Sequence, residues 1–182
     1  MKTKNTVYLA QSLDGFIADQ HGSIDWLSKI DNPQHSDLGF ADFMAQIDAI
    51  VMGRHTFEQV MRYGQWPYDK PVFVLSQSLE KLPEQSKGKA YLVCASEQEV
   101  LSQLHQLGHY RLYIDGGKLV QNFLVKELID ELIVITVPVV LGQGLKWLPE
   151  RPLNSKISLL ATSVLLGQLV QSHYQVLNST SM

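Results

Sequence analysis

Cysteine is almost absent from this 182-residue sequence, where Cys94 stands alone. An internal disulfide and a cysteine-based zinc site are therefore ruled out. Charge is also sparse: 15 Lys and Arg stand against 18 Asp and Glu, a formal net charge of −3, with no basic run. That balance argues against generic binding to nucleic acid or to an anionic membrane, so any anion must meet a local site. Long hydrophobic runs are missing as well. Val7 to Ala10 is too brief for a signal-peptide core, and Leu132 to Leu141 falls far short of the roughly 20 residues that span a bilayer. A cytoplasmic location is the expectation. What is plentiful is apolar surface, 45% of the residues, with no low-complexity tract. Such a chain offsets its ordering entropy and is expected to fold as one soluble globular domain over residues 1–182.

Short β-rich runs alternate with segments of helical period, the pattern of an α/β fold with a parallel sheet flanked by helices. Strands are predicted near Val7–Gln11, Ala49–Met52, Val72–Leu75, Tyr91–Cys94 and Arg111–Ile114. Helical spacing links Phe40, Phe43, Met44 and Ile47, then Phe57, Val60 and Met61, then Val100, Leu101, Leu104 and Leu107. The third of these opens on a capping box, Ser96 with Glu99, and stops at Gly108. A fourth helix is predicted after Gly116-Gly117, with Leu119, Val120, Phe123, Leu124 and Leu128 on one side. Toward the end, Leu132 to Val140 reads as an antiparallel-looking strand. Ile157–Val164 and Leu169–Val176 read as a hairpin turning near Gly167, which makes the sheet mixed.

Two strand-to-helix junctions have the chemistry of an anion cradle. In Ile50-Val51-Met52-Gly53-Arg54-His55-Thr56 a buried strand ends at a glycine and a helix opens with free N–H groups. Arg54 can grip a phosphate with two parallel N–H donors, and Thr56 adds a hydroxyl; an ordinary turn with Arg54 paired to a carboxylate is the alternative. In Ile114-Asp115-Gly116-Gly117-Lys118 the paired glycines leave bare backbone where a pyrophosphate would lie. Strand ends of one parallel sheet open on one edge, so together the junctions suggest a dinucleotide. No GxGxxG follows the first strand, and Gly142-Gln143-Gly144 opens no helix, so a standard Rossmann domain is disfavoured.

The order Ala10-Gln11-Ser12-Leu13-Asp14-Gly15-Phe16-Ile17-Ala18, Val51-Met52-Gly53-Arg54-His55-Thr56-Phe57-Glu58, Val74-Leu75-Ser76 and Ile114-Asp115-Gly116-Gly117 resembles the dihydrofolate reductase-like superfamily. It is most similar to the branch holding the reductase domain of bacterial riboflavin biosynthesis and its stand-alone relatives, over Val7 to about Val176. The resemblance implies a three-layer α/β/α fold and an NADPH-dependent reductase of a small heterocycle of the pterin or ribosylaminopyrimidine kind. It places the NADPH phosphates at Gly53, Arg54 and Thr56, with Ser76, and less securely Ser78, beside the 2′-phosphate. The pyrophosphate falls to Gly116, Gly117, Lys118 and Leu119, and the nicotinamide to Ala10, Ile17 and a mobile loop from Asp19 to Trp26. The dihydrofolate reductases' tryptophan-rich loop motif ending in Leu-Pro and the deaminase zinc motif of bifunctional riboflavin enzymes are both lacking. A catalytically silent NADPH-binding or scaffold module is the alternative.

A reductase also needs a proton source. Asp37, 16 positions before Gly53, resembles in spacing the pterin-holding carboxylate, and its apolar neighbours predict an upward pKa. Ser36 or Asp37 as a plain helix cap is the alternative. Asp25 with Trp26 could set an acid beside a stacking ring; otherwise Trp26 covers the core edge and Asp25 caps a short helix. Asp14-Gly15 is a turn, and Tyr63 to Lys70 either overhangs the cofactor or covers a sheet edge. His105 and His109 have no third partner, so no metal is expected, and Cys94 reads as a buried small hydrophobe. The apolar run from Val134 to Leu141 and the late hairpin suggest a homodimer.

Overall fold

The structure, a computed structural model, describes residues 3–178, so the extreme ends of the 1–182 span lie outside the described residues. In chain order the elements are β1 (Lys4–Ser12), β2 (Phe16–Ala18), α1 (Phe40–Met44), β3 (Ala49–Gly53), α2 (Arg54–Arg62), β4 (Val72–Leu75) and β5 (Ala90–Val93). There follow α3 (Glu97–Gln106), β6 (Arg111–Asp115), α4 (Gly117–Val125), β7 (Glu131–Val137), β8 (Leu145–Lys146), β9 (Lys156–Leu165) and β10 (Leu169–Leu177). Eight strands form one sheet in the order β5-β4-β3-β6-β1-β7-β10-β9. The run from β5 to β7 is parallel, and β10 and β9 close the edge antiparallel. The architecture is thus α/β with a mostly parallel sheet and an antiparallel C-terminal hairpin, as the sequence suggests. β7 corrects one detail: its antiparallel-looking run pairs parallel with β1 on one side and antiparallel with β10 on the other.

Strand residues alternate between two cores, which is why the parallel strands read as continuous apolar runs. Val7, Val51, Leu112, Ile114 and Val134 face α3 and α4, where Val100, Leu104, Val120 and Phe123 complete one cluster. Tyr8, Ile50, Met52, Tyr113 and Ile135 face the other way, toward Phe43 of α1 and Phe57 of α2. The helices start and stop where local chemistry dictates. Ser96 Oγ accepts from the Glu99 amide while the Glu99 carboxylate accepts from the Ser96 amide, a complete capping box for α3. Gly108, at φ 87°, ends that helix, and the β9–β10 turn passes through Leu166 and Gly167, both with positive φ.

Cys94, expected to be buried in a strand, lies just beyond β5 and is exposed. The strand ends one residue earlier than its apolar run suggests, which turns the thiol outward. Asp14 is the turn residue expected of it. Its carboxylate accepts from Ser12 Oγ (2.6 Å) and from the amides of Leu141 (3.1 Å) and Gly142 (2.7 Å), tying the end of β1 to the chain after β7. That tie brings β8 against β2 as a small separate ribbon. A Cβ at Gly144 would overlap the Ala18 carbonyl, so the glycine there serves this ribbon. Among the described residues, no helix is long and apolar enough to cross a membrane, and no group of three or more His, Cys, Asp or Glu could hold a metal ion.

Candidate active site

A cleft of about 1320 Å³ opens along the C-terminal edge of β4, β3, β6 and β1. Both predicted junctions lie on it: Gly53, Arg54 and Thr56 after β3, and Gly116, Gly117, Lys118 and Leu119 after β6. α2 and α4 start at glycine N-caps with no side-chain cap, so their first amides are left to whatever enters the cleft. The junctions also touch each other. Gly116 has φ 99°, and a Cβ there would overlap the Thr56 hydroxyl. A Cβ at Gly117 would meet Ile17 Cδ1 at 2.7 Å and the Lys146 carbonyl at 3.2 Å, because the β2–β8 ribbon lies across the start of α4. The Gly-Gly pair therefore first serves the packing of three segments; bare backbone for a ligand is a second consequence.

Arg54 reaches toward β4. Its Nε donates to Glu58 at 2.6 Å, and its Nη1 donates to Ser78 Oγ at 3.2 Å, 24 residues away. The guanidinium holds the Glu58 carboxyl below its ordinary range. Ser76 is 8% exposed, and its Oγ accepts from the amides of Ser78 (3.3 Å) and Leu79 (3.1 Å). Arg54, Ser76 and Ser78 thus form one polar corner at the end of the cleft, joining the turn after β4 to the start of α2. Lys118 is exposed at the rim, whereas Leu119 is buried in the core beneath the second junction.

Along β1 the lining changes. Ala10 and Ile17 are on the wall as expected, joined by Ile24, Leu27, Tyr8, Phe40 and Tyr113. The Tyr8 and Phe40 rings lie 5.5 Å apart and the Phe40 and Tyr113 rings 6.2 Å apart, both edge-on. The Asp19–Trp26 loop arches on its own turn, with the Asp19 carboxylate accepting from the amides of His21 (2.8 Å) and Ser23 (2.9 Å). Gln59 of α2 donates to the Gly22 carbonyl at 3.0 Å and fastens the loop to the helix.

The acids sit elsewhere than expected. Asp37 is exposed and takes the capping alternative: its carboxylate accepts from the amides of Gly39 (3.0 Å) and Ala41 (2.7 Å) at the start of α1. Those bonds lower its pKa, so the predicted upward shift is reversed: the carboxyl is solvated and its charge is met by amides, and its apolar sequence neighbours Leu38 and Phe40 do not desolvate it. Its charge still reaches Tyr8, whose phenol is pushed up to about 12 by burial first and by Asp37 second. Asp25 is exposed in the first turn of a 3-10 helix, Asp25–Lys29. Trp26 is buried at 5% in the α1–α2 core, so neither residue lines the cleft, and Trp26 follows its core reading.

Glu97, Asp115 and Glu150 are the acids that line the cleft; Asp115, the last residue of β6, is the one placed between the two junctions and the aromatic wall. Burial pushes its carboxyl up to about 6, against the neighbouring Tyr113 and Tyr68 phenols and the Gly116 amide, which lower it; the Tyr113 hydroxyl itself donates to the Tyr8 carbonyl at 3.0 Å. Burial drives the Tyr113 and Tyr68 phenols upward in turn, and the Asp115 charge adds to it. Tyr68 decides the role of the Tyr63–Lys70 loop: Trp66 packs on Phe57 (6.4 Å) and Tyr68 (5.8 Å), so the loop covers the core while delivering a phenol to Asp115. In the sequence Asp115 is visible only as the residue before Gly-Gly. Its alternation with Tyr113, two positions back on the same face of β6, was the available signal.

The profile of the RibD C-terminal domain matches residues 4–170. The chain belongs to that family. The uncharacterized protein YwjB of Bacillus subtilis is 34% identical over 177 residues, covering 96% of this chain and 98% of YwjB. A crystal structure from Shewanella sp. PV-4, named for riboflavin biosynthesis, superposes with a TM-score of 0.92 at 38% identity, over 96% of this chain and 99% of that one. Dihydrofolate reductase from Enterococcus faecalis, solved in complex with NADP(H), shares the fold with a TM-score of 0.68 at 17% identity, over 96% of this chain and 97% of its own. The dihydrofolate reductase-like architecture and the RibD branch are therefore those of this chain, and both are compatible with reductase chemistry.

Proposed function

We propose that this chain is an NADPH-dependent reductase that adds a hydride to a small heterocycle. The observation that carries the reading is the convergence of two uncapped helix starts and the Arg54–Ser76–Ser78 corner on one cleft whose other end holds a buried carboxyl. The residues fit the cofactor. Gly53 lies at φ −78°, open to any residue, and a Cβ there would meet only Leu119 at an ordinary 3.9 Å. Neither backbone nor packing asks for glycine, which leaves close approach of a ligand as its reason. Gly53, Thr56, Gly116 and Gly117 would hold the phosphates, Arg54 with Ser76 and Ser78 the 2′-phosphate, and Ala10 and Ile17 the nicotinamide side.

Bound there, NADPH supplies a hydride to the carbon of a C=N or C=O bond, and the neighbouring nitrogen or oxygen takes a proton. Asp115 is the group placed to hold that proton, with the Tyr68 phenol beside its carboxyl and the Tyr113 phenol donating to the Tyr8 carbonyl at 3.0 Å. The test is direct: NADPH binding by fluorescence, then its consumption followed by ultraviolet absorbance across pterins and pyrimidines. Tight binding with no consumption across the panel would favour the silent module, a reading suggested by the positions of Asp37 and Asp25 off the cleft.

We infer also that the protein pairs as a homodimer. Leu159, Leu160, Val164 and Val170 on the β9–β10 hairpin are 57%, 50%, 67% and 44% exposed. They form an apolar edge of the kind that pairing covers. Sedimentation that gives a monomer at tens of micromolar, where specific interfaces are normally filled, refutes it.

A further inference from the structure

Arg54 is held in place before any ligand arrives. Its Nε donates to Glu58 Oε1 at 2.6 Å, one turn along α2, and its Nη1 donates to Ser78 Oγ at 3.2 Å, beyond the end of β4. Ser78 is fixed in turn, its amide donating to Ser76 Oγ at 3.3 Å. The guanidinium is thus gripped from its own helix and from the neighbouring strand end, and the remaining donors of its fork sit on the Nη atoms. Arg54 lines the cleft and Glu58 does not, so Glu58 acts on a ligand through the arginine. His55, at 3.8 Å, and Arg62 are the other basic groups beside the Glu58 carboxylate, and neither approaches it as closely as Arg54.

We infer that Glu58 is a positioning residue for cofactor choice: it sets the Arg54 fork toward the 2′-phosphate and so favours NADP(H) over NAD(H). The inference rests on the reductase reading and its place for that phosphate, and it extends the site to a residue outside the cleft. Two effects of Glu58 oppose each other. Its charge offsets that of Arg54 and repels a phosphate, yet the Arg54 and Glu58 side chains are 41% and 32% exposed, where water and salt screen such repulsion. Its grip removes in advance the rotamer freedom that an arginine otherwise loses on binding, a large cost for so long a side chain. The grip therefore prevails. NAD(H) presents a 2′-hydroxyl at the same place, which asks little of a guanidinium, so the benefit falls to the phosphate-bearing cofactor.

Equilibrium titration of the full chain with NADP+ and with NAD+ tests this without turnover. The parent comes first: no NADP+ binding would sink the reductase reading and the inference with it. Glu58→Ala is expected to weaken NADP+ by about threefold or more and to leave NAD+ nearly unchanged, the factor that a part-exposed ion pair at this spacing can supply. Glu58→Gln keeps an oxygen that accepts from Arg54 Nε, and it is expected to hold NADP+ within about twofold of the parent. In an Arg54→Ala background, Glu58→Ala is expected to add nothing, because its effect passes through the arginine. Glu58 belongs to neither core, so the variants are expected to fold, and melting curves taken without cofactor check that they do. An alanine variant with the parent's NADP+ to NAD+ ratio, or with tighter NADP+ binding, would overturn the positioning role and leave the cofactor reading standing. Glu58→Gln losing as much as Glu58→Ala would trace the effect to charge, and would overturn it too.

Discussion

Replacing Asp115 with Asn removes the cleft carboxyl whose pKa burial raises, and the consequence is measurable without any ligand. The Asp115 carboxyl moves from its ordinary 3.8 to about 6 in the folded protein, chiefly by desolvation. The folded state thus binds the proton more tightly than the unfolded chain, and stability falls as pH rises from below 4 through 6. At about 1.4 kcal/mol per tenfold change in proton affinity, the ionised form costs about 3 kcal/mol above pH 7. Asn keeps the shape and its oxygen can still accept from the Tyr68 phenol and the Gly116 amide, but it never ionises. Urea unfolding of both proteins at pH 4.5 and pH 7.5 reads the difference. The variant is expected to gain about 1.5–2 kcal/mol on the parent between those two values, while other titrating groups cancel in the comparison. Parallel stabilities would mean that water reaches the Asp115 carboxylate freely, and the argument for a desolvated acid would collapse.

Arg54→Ala is expected to weaken NADPH by about 1.5–3 kcal/mol and NADH far less, as fits one lost charge-assisted contact; equal losses in a titration of both cofactors would detach Arg54 from the 2′-phosphate. Asp115→Asn is expected to lower turnover by roughly 10²-fold or more and Asp37→Asn by less than about threefold once a substrate is in hand. The opposite order would return the acid to Asp37. Gly116→Ala is expected to lower thermal stability even without ligand, by about 1–3 kcal/mol, because the new Cβ meets Thr56 at a backbone of φ 99°. An unshifted melting curve would show that Gly116 answers only to a ligand.

Most of the fold is legible because its strands are buried on both faces. Val72–Leu75 coincides with β4, and the alternation of Ile50, Val51 and Met52 between two cores is what makes β3 read as a solid apolar run. The helices carry their own boundaries, as Ser96 with Glu99 and Gly108 do for α3. The β2–β8 ribbon is not legible, since strands of three and two residues have no periodicity to read, and their pairing depends on Asp14 reaching amides 127 and 128 positions away. The same limit applies to the Tyr63–Lys70 loop. Its composition says turn, and only the fold reveals that Tyr68 is carried to the end of β6.

The carboxylates show why the glycine junctions of the cleft are easier to read than its acid. A phosphate cradle is made by backbone, so glycine and the strand-to-helix junction announce it in a few adjacent residues. A catalytic acid is made by its surroundings. Asp37 and Asp115 are the same side chain, each with an apolar neighbour and a glycine within two positions in sequence, yet their pKa values move in opposite directions. Asp37 lies exposed at the start of a helix, where two amides reward the charge; Asp115 lies at the end of a central strand, where neighbouring polar groups only partly offset the lost water. Apolar neighbours in sequence do not desolvate a group whose side chain points to solvent, and in a strand it is the residues at alternate positions and across the cleft that count. The acid is therefore to be sought on strand ends between the glycine junctions. There the sheet brings bare glycine backbone and a buried carboxyl within one cleft, and Asp115 occupies that position.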